Sequence, residues 1–179
     1  MEAVIREKDQ NQHRQECLCH VVQLSISPGG IPKRAVAQAN VTSSGIVGDS
    51  WAHPNIHGGP NQALLLITSE GIDELIAQGF SLFYGALGEN LTTSGIDRRE
   101  MRVGQRYRAG DVFLELTKLR APCDTLNVYP GIQAAIYDPQ VKAGDPSSPR
   151  WGLSGFYARV LKGGAVRQHD IITLVDQVV

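Results

Sequence analysis

Turn-forming residues recur so often along this chain that no long regular segment can run between them. Nineteen glycines and nine prolines are spread over 179 residues. Pairs such as Gly29-Gly30, Gly58-Gly59-Pro60 and Gly163-Gly164 punctuate short apolar runs. Glycine reaches backbone conformations other residues avoid and proline cannot continue a helix, so short strands joined by tight turns are favoured. Between the turns, Val112, Leu114 and Leu116 alternate as a half-buried strand requires. Leu18–Ile26, Val36–Val41, Ala63–Thr68, Gly88–Thr93, Gln105–Arg108 (paired with Asp111–Lys118 about Ala109-Gly110), Tyr157–Leu161 and Ile171–Val175 read as further strands or turn-strand pieces. The best helix signal starts at Ser69 as N-cap, has acidic residues in its first turns, and stops at Gly79. A second, shorter helix is expected near Gly131–Tyr137, then a polar loop over Asp138–Pro149.

These elements, about seven to nine strands with few helices, predict a mainly β fold. A closed or nearly closed mixed β-barrel with a few short helices follows, because closure removes exposed strand edges. Residues 1–16 read as a flexible, solvated tail and 17–179 as one domain. A 42% hydrophobic and 20% charged composition suits a globular core.

Seventeen basic against eighteen acidic residues leave a net charge of −1. No global field draws nucleic acid or an anionic membrane, so any anion site has to be local. Three cysteines are too few for a disulfide scaffold, and with no signal-like or membrane-length apolar run the expectation is a cytoplasmic protein.

Chemistry concentrates at Cys123, in Lys118-Leu119-Arg120-Ala121-Pro122-Cys123-Asp124. Nearby cations favour the thiolate, the nucleophilic and metal-binding form, while Asp124 opposes them. An inert buried cysteine is the alternative on residue type alone. A second group is Asp49, His53 and His57-Gly58-Gly59-Pro60, in a loop that cannot be regular structure. The spacing of His53 and His57 resembles a helical metal pair, but Pro54, Gly58 and Gly59 argue against a helix there. Amides freed by Gly58 and Gly59 could instead cradle an anion, or simply make a turn. Lys33 and Arg120 are candidate phosphate or carboxylate ligands, and Arg159 is placed on a strand that could face the same cavity as Cys123. Cys17 and Cys19 lack the further ligands a zinc or cluster site needs. No Walker or Rossmann spacing follows Gly29-Gly30.

Taken in order, Pro28–Lys33, Gly45–Asp49, His57–Ala63, Leu87–Leu91, Arg120–Cys123 and Gly155–Leu161 resemble the MOSC domain, and within that family its short stand-alone bacterial type. The resemblance implies a mixed β-barrel and a cysteine at position 123 that either ligates molybdenum of a bound pterin cofactor or carries sulfur as a persulfide. It implies Lys33, Asp49, His57, Gly58, Gly59, Asn90, Arg120 and Arg159 as the cofactor-binding set. The molybdenum cofactor (molybdopterin) would be held permanently or only in passing. The implied activity is reduction of N-hydroxylated substrates such as hydroxylated bases. The implied partners are an electron-donor protein, or a cysteine desulfurase if sulfur is carried, with a homodimer left open. Pyridoxal phosphate belongs to larger relatives, and no pyridoxal-binding lysine motif is visible here. The family commonly has Gly-Asp where this chain has Gly104-Gln105 and His169-Asp170. A thiol hydrolase built from Cys123, His57 and Asp49 is the remaining reading.

Overall fold

The computed structural model describes residues 18–51 and 58–176. Residues 1–17, with the expected tail and Cys17, and the loop histidines His53 and His57 lie outside the described residues.

Eleven strands are formed among the described residues. They are β1 (His20–Ile26), β2 (Arg34–Val36), β3 (Gln38–Thr42), β4 (Gly45–Ile46), β5 (Leu64–Thr68), β6 (Leu91–Ser94), β7 (Arg106–Ala109), β8 (Val112–Leu119), β9 (Phe156–Lys162), β10 (Gly164–Arg167) and β11 (Ile172–Asp176). Three short helices accompany them: α1 (Ser69–Ala77), α2 (Ile132–Ile136) and α3 (Pro139–Lys142). The mainly β expectation is met. The loop expected over 138–149 instead opens with α3, where the Asp138 carboxylate accepts from the Val141 amide at 2.7 Å and caps the turn.

The expected closure is not met. Eight strands form one sheet in the order β11-β7-β8-β9-β5-β6-β1-β2, and β10-β3-β4 form another. The physical reason lies in β1, whose second edge is divided. Leu24–Ile26 pair with β2, while the start of the strand meets the chain before β11 through an isolated bridge, His20 to Ile171. With β2 on that edge, no continuous ladder from β1 to β11 can form.

β5 sits at the centre of the larger sheet and separates two cores. Its five residues are all buried because the strand is central, parallel to β6 and antiparallel to β9. Leu64 and Leu66 face the core between the sheets, with Leu24, Leu91, Leu114, Leu116 and Phe156. Leu65 and Ile67 face a second core beneath α1 and α2, with Ile72, Leu75, Leu87, Leu126 and Ile132. β7 and β8 pair antiparallel across Ala109 and Val112, and Val112, Leu114 and Leu116 all enter the first core, as their alternation requires. α1 is capped one residue earlier than expected: the Thr68 hydroxyl accepts from the Gly71 amide at 3.2 Å.

Candidate functional site

The chain leaves β8 at Leu119 and runs Arg120-Ala121-Pro122-Cys123 before a 3-10 turn over Asp124–Val128. This segment is tied down at both ends. The Arg120 amide donates to the Gly155 carbonyl at 2.9 Å, and the Cys123 carbonyl accepts from Gln133 at 3.3 Å. Arg120 and Cys123 therefore line one cleft, together with Gly30, Ile31, Lys33, Ser50, Trp51, Gln62, Leu65, Leu87, Gly88, Asn90, Thr125 and Tyr157. Cys123 is half-buried, and its Sγ lies 2.9 Å from the Thr125 hydroxyl. Arg120 is 4% exposed, and its Nη1 has no hydrogen-bond partner among the described residues. A buried guanidinium N–H without an acceptor is costly, and in a cleft wall it points to an anionic ligand.

Lys33 is in the same wall, but its charge is already matched. Its Nζ donates to Oδ1 and Oδ2 of Asp49, 2.5 Å from each. Asp49 also accepts from the Ser27 amide and from Asn90 Nδ2, both at 2.8 Å. The Asn90 side chain in turn donates to the Ser25 carbonyl and accepts from the Leu65 amide. Lys33, Asp49 and Asn90 thus form a buried clamp tying β1, β5 and the loop after β4 behind the cleft. Both Asp49 oxygens are thereby occupied within the clamp, and His57 of the hydrolase reading lies outside the described residues.

Three further expected residues stand elsewhere. Arg159 does not share the Cys123 cleft: exposed on β9, it donates to Glu115 at 2.6 Å and lines a separate groove with Lys118, Asn61 and Gln62. The cause is strand register, which sets Arg159 directly opposite Glu115. Gly58 and Gly59 adopt positive φ, but neither lines the cleft. Gly58 instead lets Trp51 approach, since a Cβ there would meet the indole at 2.9 Å. No group of three or more His, Cys, Asp or Glu side chains among the described residues could hold a metal ion.

Tyr157, Trp51, Gln62 and Thr125 are cleft residues that sequence reasoning missed. Tyr157 was legible in retrospect, lying between the inward Phe156 and Ala158 and so on the opposite face of β9. Burial pushes its phenol up, Arg120 opposes the shift and Cys123 adds to it. Its hydroxyl therefore keeps its proton at neutral pH. The Lys118 ammonium lies 5.4 Å from the Tyr157 ring centroid.

The MOSC domain model matches residues 53–173, about two thirds of the chain. This chain belongs to the MOSC domain family. It is 31% identical over 107 residues to the YiiM protein of Escherichia coli, covering 57% of this chain and 48% of YiiM. It is 28% identical over 141 residues to the YflK protein of Bacillus subtilis, covering 76% of this chain and 59% of YflK. A Gibberella moniliformis protein named reductase is 29% identical over 141 residues, a match covering 76% of this chain and 23% of that protein. The matched part is thus well short of these relatives' full lengths. In fold, the MOSC chain is similar to the crystal structure of YiiM from Geobacillus stearothermophilus, with a TM-score of 0.67, 24% identity, and 88% of this chain and 75% of that one covered. The Escherichia coli YiiM structure gives 0.63 at 21% identity, covering 90% of this chain and 71% of that one.

Proposed function

We propose that this MOSC protein binds molybdenum cofactor in the Cys123 cleft and reduces N-hydroxylated substrates, with Cys123 as the protein ligand to molybdenum. One observation carries the reading: a reachable thiol and a buried arginine with an unpartnered N–H line the same cleft. The residues suit such a group, because a thiolate is a soft ligand and a guanidinium pairs with a phosphate. The name of the fungal relative, reductase, points the same way.

Bound there, the cofactor would supply a two-electron centre. Reducing N–OH to N–H takes two electrons and two protons and releases water, so an electron-donor protein is required. Arg120 would hold the anionic end of the cofactor. The Lys33–Asp49–Asn90 clamp keeps the wall behind it fixed. Tyr157 Oη holds a proton within the cleft. Leu65, Leu87 and Trp51 make the rest of the lining apolar enough to favour a flat, weakly polar substrate.

A second reading has its own observation. The Thr125 hydroxyl, 2.9 Å from Sγ, can donate to a thiolate or persulfide with no cofactor present. In that case Cys123 carries sulfur loaded by a cysteine desulfurase.

The test is metal and pterin analysis of protein purified from a cofactor-competent host, with intact mass measured in parallel. Stoichiometric molybdenum with pterin fluorescence is expected. A single added sulfur on Cys123 without molybdenum would replace the enzyme reading with the carrier.

A further inference from the structure

Trp51 stands at the cleft on a fixed piece of backbone. The Ser50 amide before it donates to the Ser27 carbonyl at 2.8 Å, and Asp49, one place earlier, is locked in the clamp. The indole is seated by Gly58. A Cβ at Gly58 would lie 2.9 Å from each of Cδ2, Cε2 and Cε3 of the ring. Equal distances from three adjacent carbons of the six-membered ring put that atom above the ring face, not at its edge. Real Cβ atoms do not pack so close, so only glycine lets the backbone cover this face. Gly58 holds a left-handed φ of 92°, and the chain then enters the turn Pro60–Gln62, where the Gln62 amide donates to the Gly59 carbonyl at 3.0 Å. At the ring edge, a Cβ at Gly45 of β4 would meet Cζ2 at 3.8 Å, an ordinary contact. Trp51 nevertheless stays half-buried and lines the cleft with Arg120 and Cys123.

We propose that Trp51 is the platform on which the cleft stacks a planar heteroaromatic ring, with Gly58 positioning the indole. The proposal rests on the reading of the Cys123 cleft as the site where N-hydroxylated compounds are bound. Backbone closes one ring face, so the cleft meets the remainder of the indole as a rigid wall. Its negative π face favours offset stacking on a flat, electron-poor ring. Because the indole is seated beforehand, little ordering remains to be done when the ligand arrives. The chain's other tryptophan is placed differently: Trp151 is 6% exposed, donates from Nε1 to the Met101 carbonyl at 3.0 Å and packs edge-on against Phe156. Two rings share the required chemistry, the hydroxylated base of a substrate and the pterin of the cofactor.

The test follows tryptophan emission during titration with N6-hydroxyadenine, in protein with and without bound cofactor. Equilibrium dialysis measures base and pterin retention in parallel. Trp151→Phe leaves Trp51 as the single emitter; if that variant does not fold, wild type minus Trp51→Leu isolates the same signal. Quenching of Trp51 is expected, and affinity for the stacked ring should fall about tenfold in Trp51→Leu, within the range of base–aromatic stacking. Trp51→Phe should recover most of that loss. Gly58→Ala drives a methyl into the indole face and should lose the quenching. Gly59 shares the left-handed backbone, with φ 85°, but a Cβ there meets no atom of the described residues within 4 Å. Gly59→Ala thus carries the backbone strain without the clash and should quench as wild type does.

Quenching by the base in cofactor-loaded protein assigns the stacked ring to the substrate. Quenching on cofactor loading, with no further response to the base, assigns it to the pterin. If base or cofactor binds while Trp51 emission answers neither, and Trp51→Leu holds both as wild type does, the platform is refuted and the cleft reading stands. A folded Gly58→Ala that quenches like wild type refutes the role of Gly58. If wild type retains neither the base nor the cofactor, the reading of the cleft itself fails.

Discussion

Lys33 and Asp49 make a buried ion pair behind the cleft, with Nζ 2.5 Å from both carboxylate oxygens and side chains 5% and 3% exposed. The lysine that looked like a free phosphate ligand is thereby the anchor of a clamp. Removing one member of a buried pair strands the other charge, typically at a cost of about 3–5 kcal/mol. Lys33→Met and Asp49→Ala should each lower stability by that order in urea titrations. A loss below about 1 kcal/mol would place the pair among weak surface bridges.

Arg120 is expected to act in binding. Arg120→Ala should weaken cofactor binding by about 1.5–3 kcal/mol, the range for hydrogen bonds to charged groups. Lys118→Ala should leave that affinity unchanged, because Lys118 is exposed and its ammonium stacks over Tyr157. Fluorescence titration with the pterin cofactor compares the two. Equal losses in both variants would mean that general positive charge, not Arg120, holds the ligand.

Sulfur chemistry should depend on Cys123 and not on Cys19. Cys19 is half-buried and packs against the core between the sheets, away from the cleft. Cys123→Ser changes size little, so the thermal midpoint should move by only a few degrees. It should still abolish reduction of N-hydroxylated bases and persulfide loading, since a hydroxyl is neither a soft ligand nor a sulfur carrier. Cys19→Ser, alone or with Cys17→Ser, should keep full activity. Full activity in Cys123→Ser would move the chemistry elsewhere.

Acid should weaken the fold partly through Glu115. Its hydrogen bond from Arg106, with help from Arg159, holds this carboxyl below its ordinary value of 4.5. A carboxyl depressed on folding binds fewer protons in the native state, so its stabilisation is present above about pH 4.5 and is lost as pH falls further. Glu115→Gln should therefore be less stable than wild type at neutral pH, with the gap closing below about pH 4.5. Urea titrations at neutral and acidic pH measure that gap. A constant difference across the range would mean that Glu115 acts by packing and not by charge.

The pairing of β7 with β8, the inward face of Val112, Leu114 and Leu116, and the helix after Thr68 were all legible in the sequence, because each depends on contacts within a few residues. β10 escaped notice because Gly164–Arg167 carries little apolar alternation and is ordered by pairing with β3. Glu89 escaped too, since an acidic residue beside a glycine turn gives no sign that the fold buries it completely.

By itself the sequence determined the mainly β class, the membership implied by its ordered motifs, and the nearness of Arg120 to Cys123, which only two intervening residues guarantee. Tertiary structure alone decided which charges remain available in the cleft. Lys33 pairs with Asp49 across sixteen positions, Asn90 joins them from forty-one away, and Arg159 turns to Glu115 across forty-four. Such pairings depend on strand register and on which edge of β1 each segment occupies, and neither is encoded within a local window. Open sheets rather than a barrel follow from the same cause, because β2 and the segment before β11 share one edge that a single closing strand would have needed.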